Sequence, residues 1–191
     1  MAKNDKVLGQ FRPKVAILGA GTMGAGIAGV FAAKGYTVSV YSRSEATLEK
    51  AKGRIAAIAG DEVAVDYTTS LKECVVGADI ISENLAEDVA LKQRVFAEIE
   101  IAAPLDCLLT TNTSSVPITQ IASGLSRPQR VVGIHWFNPP AVMPLVEIVR
   151  GEKTSDEVVE RARSLSADIG KEVIEVKTDI AGFVVNRLQY A

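Results

Sequence analysis

A chain of 191 residues with 48% hydrophobic and 23% charged side chains is long enough to bury one sizeable core and too apolar to be intrinsically disordered. Its 21 basic and 23 acidic residues leave a formal charge of −2, which argues against nucleic acid or an anionic membrane as the main partner, so an anionic ligand would need a local site. The amino terminus MAKNDKVLGQFRP has no apolar core of signal-peptide length, no run approaches a membrane span, and Cys74 and Cys107 stand in apolar settings that suit buried free thiols, so the expected location is the cytoplasm.

After a polar lead over residues 1–13, short apolar runs alternate with longer helical patterns, the sequence form of a parallel sheet covered by helices. Strands are expected near 14–19, 37–41, 64–67, 79–83, 107–111, 131–135, 144–149 and 172–176, with helices opening near 23, 45, 88 and 155. Gly35, Pro104 and Gly170 supply helix stops. The expected fold is α/β, a Rossmann-type doubly wound and mostly parallel sheet with helices on both faces, forming a dinucleotide-binding domain over 14–180. The final stretch DIAGFVVNRLQYA opens an apolar helical pattern, so 181–191 is expected to be the start of a truncated helical domain. No metal site is expected.

The first strand runs into GAGTMG, which sets Gly19, Gly21 and Gly24 in G-x-G-x-x-G spacing at a helix start. The first glycine permits the tight turn, the second lets a pyrophosphate approach the backbone, and the third lets helix and strand pack closely. Thr22 and Met23 complete the turn, where unpaired N–H groups of the first helical residues face phosphate. The second strand ends in VYSRS, with Ser42 where an NAD-binding turn normally carries an acid for the adenosine ribose. Loss of that acid removes a repulsion, and Arg43 could pair with a 2′-phosphate, so the cofactor expected is NADP or NAD with a lean to NADP. The alternative is that Ser42 caps the following helix and Arg43 is a solvated surface residue.

Three later stretches carry the chemistry. TTNTSSVPITQIA follows a strand and holds Asn112, a candidate cofactor contact, with Ser114 and Ser115. GIHWFNPPAVMPLVEIV holds the chain's one histidine, His135, and Glu147 twelve residues on; GFVVNR holds Asn186. A histidine at a strand end before a proline-rich loop stands where an α/β sheet presents reactive groups. Trp136 and Phe137 read as packing residues.

Taken in order, GAGTMG, NTSS, HWFNP and GFVVNR make the chain resemble, over residues 14–191, the amino-terminal domain of the 3-hydroxyacyl-CoA dehydrogenase family. The resemblance implies His135 as general base, Glu147 as its partner, and Ser114 and Asn186 near the substrate oxygen. LAEDVALKQRVF is similar to the family's ExxxxK cofactor segment, which implies Glu87 on the nicotinamide side and Lys92 on the ribose side, although EDVALKQR also reads as a charged amphipathic helix face. The implied reaction is oxidation of a short-chain 3-hydroxyacyl-CoA with NAD(P), and the implied full-length partner is a second copy, met through the helical domain. Without that domain the 191-residue chain is expected to bind cofactor and to turn over slowly or not at all. The wording NPP and LQYA is also similar to relatives that oxidise gulonate or carnitine, and a noncatalytic dinucleotide-binding protein is the remaining alternative.

Overall fold

A computed structural model of the chain describes residues 13–180 together with Gly182 and Phe183. Asn186 and most of the 181–191 segment, like the lead before Pro13, lie outside the described residues.

Among the described residues eight strands form one sheet: β1 (Lys14–Leu18), β2 (Thr37–Tyr41), β3 (Val65–Thr68), β4 (Ile80–Glu83), β5 (Leu108–Thr111), β6 (Val131–Trp136), β7 (Leu145–Val149) and β8 (Glu172–Val176). Their order is β3-β2-β1-β4-β5-β6-β7-β8. All neighbours are parallel except β6 and β7, which pair antiparallel. The chain therefore winds outward from β1 to β3, returns to pair β4 beside β1, and winds outward again. That reversal opens a crevice beyond the carboxyl ends of β1 and β4, the place where doubly wound sheets take their ligands.

Four long helices, α1 (Thr22–Ala33), α2 (Glu45–Ala59), α4 (Val89–Ala102) and α6 (Asp156–Asp168), answer to the 3.6-residue patterns of the sequence, and two five-residue helices, α3 (Leu71–Val75) and α5 (Ile118–Ala122), do not. Five residues are too few to show a helical period, which is why those two escape a pattern reading. β1 shows how the layers form. Val15 and Ile17 pack on one face with residues of α1, α2 and α6, while Ala16 and Leu18 pack on the other with residues of α3, α4 and α5. Both faces are covered, as a parallel sheet requires. Cys74 and Cys107 are buried free thiols in the second of these cores. No helix among the described residues is long and apolar enough to cross a membrane.

Helix starts are specified locally. Ser44, Asp88 and Ser155 cap α2, α4 and α6 by accepting from Thr47 N, Leu91 N and Val158 N. Of the four long helices only α1 starts without a side-chain cap, at Gly21.

Candidate functional site

Gly19 follows β1 with φ 103, a conformation that glycine adopts without strain. Its neighbours leave no room for more: a Cβ on Gly19 would stand 2.5 Å from the carbonyl oxygen of Asn84, and one on Gly24 would stand 1.8 Å from that of Gly19. Gly21 is different, because a Cβ there meets nothing within 4 Å. Its smallness serves open space beside the first turn of α1, not packing. That turn has neither a side-chain cap nor an acidic residue. Free N–H groups, the positive end of the helix dipole and a clear approach fit the diphosphate of a dinucleotide.

Ser42, Arg43 and Ser44 follow β2, next to the glycine turn, where Gly19 N donates to Tyr41 O at 2.9 Å. Ser44 is the cap of α2, whereas Ser42 Oγ only accepts from Ser44 N at 3.3 Å. The capping role that the sequence left open for Ser42 thus falls to Ser44. Arg43 is exposed, and no carboxylate stands in the Ser42-Arg43-Ser44 turn. From α2, Arg54 Nη1 donates to Thr22 Oγ1 at 3.4 Å, adding a second guanidinium beside the turn.

Farther along the same edge, β6 and β7 pair so that His135 lies directly opposite Glu147. The twelve-residue spacing is therefore a hairpin register. His135 Nδ1 stands 2.7 Å from Glu147 Oε2, with both side chains buried. An ionised carboxylate only accepts, so Nδ1 carries the ring proton and Nε2 presents its lone pair. Nε2 is 3.0 Å from Ser114 Oγ. The rings of Phe137 and Phe183 meet the imidazole edge-on at 4.8 and 5.4 Å and fix its plane. Trp136 packs into the core against Phe31, as expected of a packing residue.

Ser114 reaches the histidine because its loop is held. Glu87 Oε1 accepts from Ser114 N at 2.8 Å, and Glu87 Oε2 accepts from Thr113 Oγ1 at 2.7 Å. Asn112 Oδ1 accepts from Trp136 N at 2.8 Å, tying the same loop to β6. On the other side, Lys171 Nζ donates to the carbonyls of Pro140 and Met143 and so fixes the loop that leaves β6. Between these walls lies a cleft of about 470 Å³ whose lining includes Met23, Asn84, Glu87, Asn112, Ser114 and His135. It joins Met23, in the first turn of α1, to the histidine in one space of ligand size.

Lys92 does not face the cleft; it is buried, with Nζ 2.8 and 2.9 Å from Glu83 Oε1 and Oε2. On α4 it occupies the face it shares with Val95, Phe96 and Ile99, at helical spacings of three, four and seven, and that face is turned to the sheet. A lysine on such a face must find a buried acid, and Glu83 supplies it. Glu83 and Thr111 were not singled out from sequence. The signal for them was a polar residue closing an apolar strand, which alone does not name a partner. Asn186 lies outside the described residues. His135, Glu147, Ser114, Glu87 and Asn112 converge, and Gly19, Gly21, Thr22, Met23 and Gly24 form the turn beside them.

The description 3-hydroxyacyl-CoA dehydrogenase, NAD binding domain, matches residues 14–180 of the chain. The 5-formyl-3-hydroxy-2-methylpyridine 4-carboxylate 5-dehydrogenase of Mesorhizobium japonicum is 35% identical over 189 residues, covering 93% of this chain and 61% of that protein. The 3-hydroxyadipyl-CoA dehydrogenase of Escherichia coli is 39% identical over 188 residues, covering 91% of this chain and 39% of that protein. Among solved structures, that of a 5-formyl-3-hydroxy-2-methylpyridine 4-carboxylic acid 5-dehydrogenase, described as an NAD+ dependent dismutase, superposes with a TM-score of 0.86 at 34% identity, over 94% of this chain and 62% of the other. The chain thus spans between 39% and 61% of the length of these two curated relatives.

Proposed function

We propose a function from one premise: this chain belongs to the 3-hydroxyacyl-CoA dehydrogenase family, matched through its NAD-binding domain. We propose that it is the dinucleotide-binding part of an NAD(P)-dependent dehydrogenase that interconverts the 3-hydroxy and 3-keto forms of a short-chain acyl-CoA. The observation that carries the reading is the line Glu147, His135, Ser114 at one end of a cleft that reaches Met23 in the first turn of α1, beside the glycine turn.

A nicotinamide held along the crevice supplies the chemistry of hydride acceptance and return. Every other part of the reaction falls to side chains of this chain. Oxidation of a secondary alcohol removes the hydroxyl proton as the carbon loses its hydride, and Nε2 of His135 is the base that takes that proton. Glu147 holds the tautomer that leaves Nε2 free and stabilises the imidazolium once the proton arrives. Ser114 Oγ, which donates to Nε2 before substrate arrives, would turn its proton to the substrate oxygen once Nε2 takes up the alcohol proton. In the reverse direction the same imidazolium returns its proton to the alkoxide. Gly21, Thr22 and Met23 would hold the diphosphate at the start of α1, where no side-chain cap occupies the N–H groups.

NADP is the cofactor proposed to bind more tightly, on the strength of Ser42 in place of an acid and the exposed guanidinium of Arg43. A charge-assisted hydrogen bond of this kind is worth about 1.5 to 3 kcal/mol, or roughly tenfold and upward in affinity. Side-by-side titration with NADPH and NADH tests it: Arg43→Ala should weaken NADPH selectively, and tighter binding of NADH to the unaltered chain overturns the preference. For the reaction, loss of reduced-nicotinamide absorbance on adding acetoacetyl-CoA to the protein that carries this chain is expected, with His135→Ala inactive. Equal rates in both sink the mechanism. The 35% identity to a pyridine carboxylate dehydrogenase favours a second reading, a substrate without CoA. Turnover of a small hydroxy acid, and none of acetoacetyl-CoA, would select it.

A further inference from the structure

Glu83 and Lys92 form a buried ion pair that the acid-base mechanism above does not use. Glu83 closes β4 and is wholly buried. Its carboxylate accepts four hydrogen bonds: two from Lys92 Nζ, one from Leu85 N at 2.6 Å, and one from Thr111 Oγ1 at 2.6 Å. Those four occupy the acceptor positions that a carboxylate has. The bond to Thr111 is a product of register, because Glu83 and Thr111 are neighbours across the parallel pair of β4 and β5.

Thr111 then hands the anchor onward. While its hydroxyl proton goes to Glu83, its oxygen accepts from Thr113 N at 3.2 Å. Thr113 Oγ1 donates to Glu87, and Glu87 also holds Ser114 N. Ser114 Oγ ends the path at His135 Nε2. Two loops that shape the cleft, one after β4 and one after β5, are thus tied to a single buried carboxylate.

We infer that Thr111 is a positioning residue for proton transfer: through it the buried Glu83–Lys92 pair sets the loop that brings Ser114 to His135. Its kinetic consequence rests on the proposed dehydrogenase reading; its structural consequence does not. A hydrogen-bonded network of this kind is stiff because each member is fully used, and displacement of a positioned group by an ångström costs rate well out of proportion to stability.

The chain has one histidine, so its ring resonances report this site without ambiguity. Thr111→Val keeps shape and the ion pair but removes the hydroxyl. It should shift the 1H–15N ring resonances of His135 in the cofactor-free chain, and in the protein that carries this chain it should lower kcat about tenfold or more while leaving KM for the dinucleotide within about twofold. Thr111→Ser should return both to the unaltered values. Thr154→Val serves as control: that buried threonine also makes two hydrogen bonds, to Val131 O and from Gly151 N, at the far end of β6. It should lower the melting temperature without moving His135. If Thr111→Val does not fold, the exposed Glu87→Gln acts on the same path and should move the same resonances. Unmoved His135 resonances in a folded Thr111→Val or Glu87→Gln chain overturn the inference, whatever happens to stability. Moved resonances in a protein that turns over no substrate would instead leave the positioning intact and count against the dehydrogenase reading.

Discussion

Replacing Lys92 with methionine probes the least expected feature of the fold. Methionine matches the length of the aliphatic stem but brings no charge, so Lys92→Met leaves Glu83 wholly buried, without its cation and short of two of its four hydrogen bonds. Removing one member of a buried pair costs about 3 to 5 kcal/mol, because the survivor keeps its desolvation without its partner. Against a total stability of roughly 5 to 15 kcal/mol for a domain, that is a large fraction. For a chain of this size each kcal/mol moves Tm by about 2 to 4 °C, so a fall of roughly 6 to 20 °C is expected. Adding Glu83→Gln to Lys92→Met should recover much of the loss, since no unpaired charge is then buried. Urea unfolding at pH 7 of the two single variants, the double variant and the unaltered chain gives the coupling directly. A Lys92→Met chain within about 1 kcal/mol of the unaltered one would refute the buried-pair account and return Lys92 to a solvated helix face.

Two further outcomes follow from groups already placed. Glu147→Gln keeps a hydrogen-bonding side chain opposite His135 but supplies no charge for an imidazolium, so kcat should fall about a hundredfold or more with substrate KM little changed; a smaller loss than tenfold would remove Glu147 from the mechanism. Burial pushes the Cys74 thiol up to about 11 and the Cys107 thiol up to about 12 from an ordinary 9.0. The folded chain therefore keeps two protons that the unfolded chain releases above pH 9, so their stabilising contribution is full below pH 9 and is lost as pH rises through 11 and 12. Tm should decline more steeply above pH 9 in the unaltered chain than in a Cys74→Ala, Cys107→Ala variant, and iodoacetamide at pH 8 should label neither thiol until the chain is unfolded.

Much of this architecture is legible in the residues themselves. The strands emerge from short apolar runs and the long helices from period-3.6 patterns, and the stops at Gly35 and Gly170 fall where φ is positive. The pairing of His135 with Glu147 is legible only as a spacing, and the antiparallel register of β6 and β7 turns that spacing into contact. Lys92 shows the opposite case. Its spacing to Val95, Phe96 and Ile99 is that of one helix face, but EDVALKQR reads from sequence as a charged amphipathic face because a lysine is so rarely buried. Its partner Glu83 is nine residues away on another element, a relation that neither periodicity nor composition encodes. Ser44, not Ser42, caps α2 because α2 begins at Glu45, which puts Ser44 in the position before it, with its side chain accepting from Thr47 N.

The central claim is that the uncapped start of α1 is kept open for a dinucleotide, and Gly21→Asp tests it most directly. Gly21 has an ordinary extended conformation, φ −69 and ψ −170, and open space around its Cβ position, so aspartate fits without strain and is itself a favoured helix cap. The added carboxylate would satisfy the free N–H groups and place negative charge where the diphosphate must sit. Tm should stay level or rise slightly; in a fluorescence titration the unaltered chain should bind both NADH and NADPH, and the variant should lose its affinity for the two together. A Gly21→Asp chain that binds either one as tightly as the unaltered chain would contradict the account.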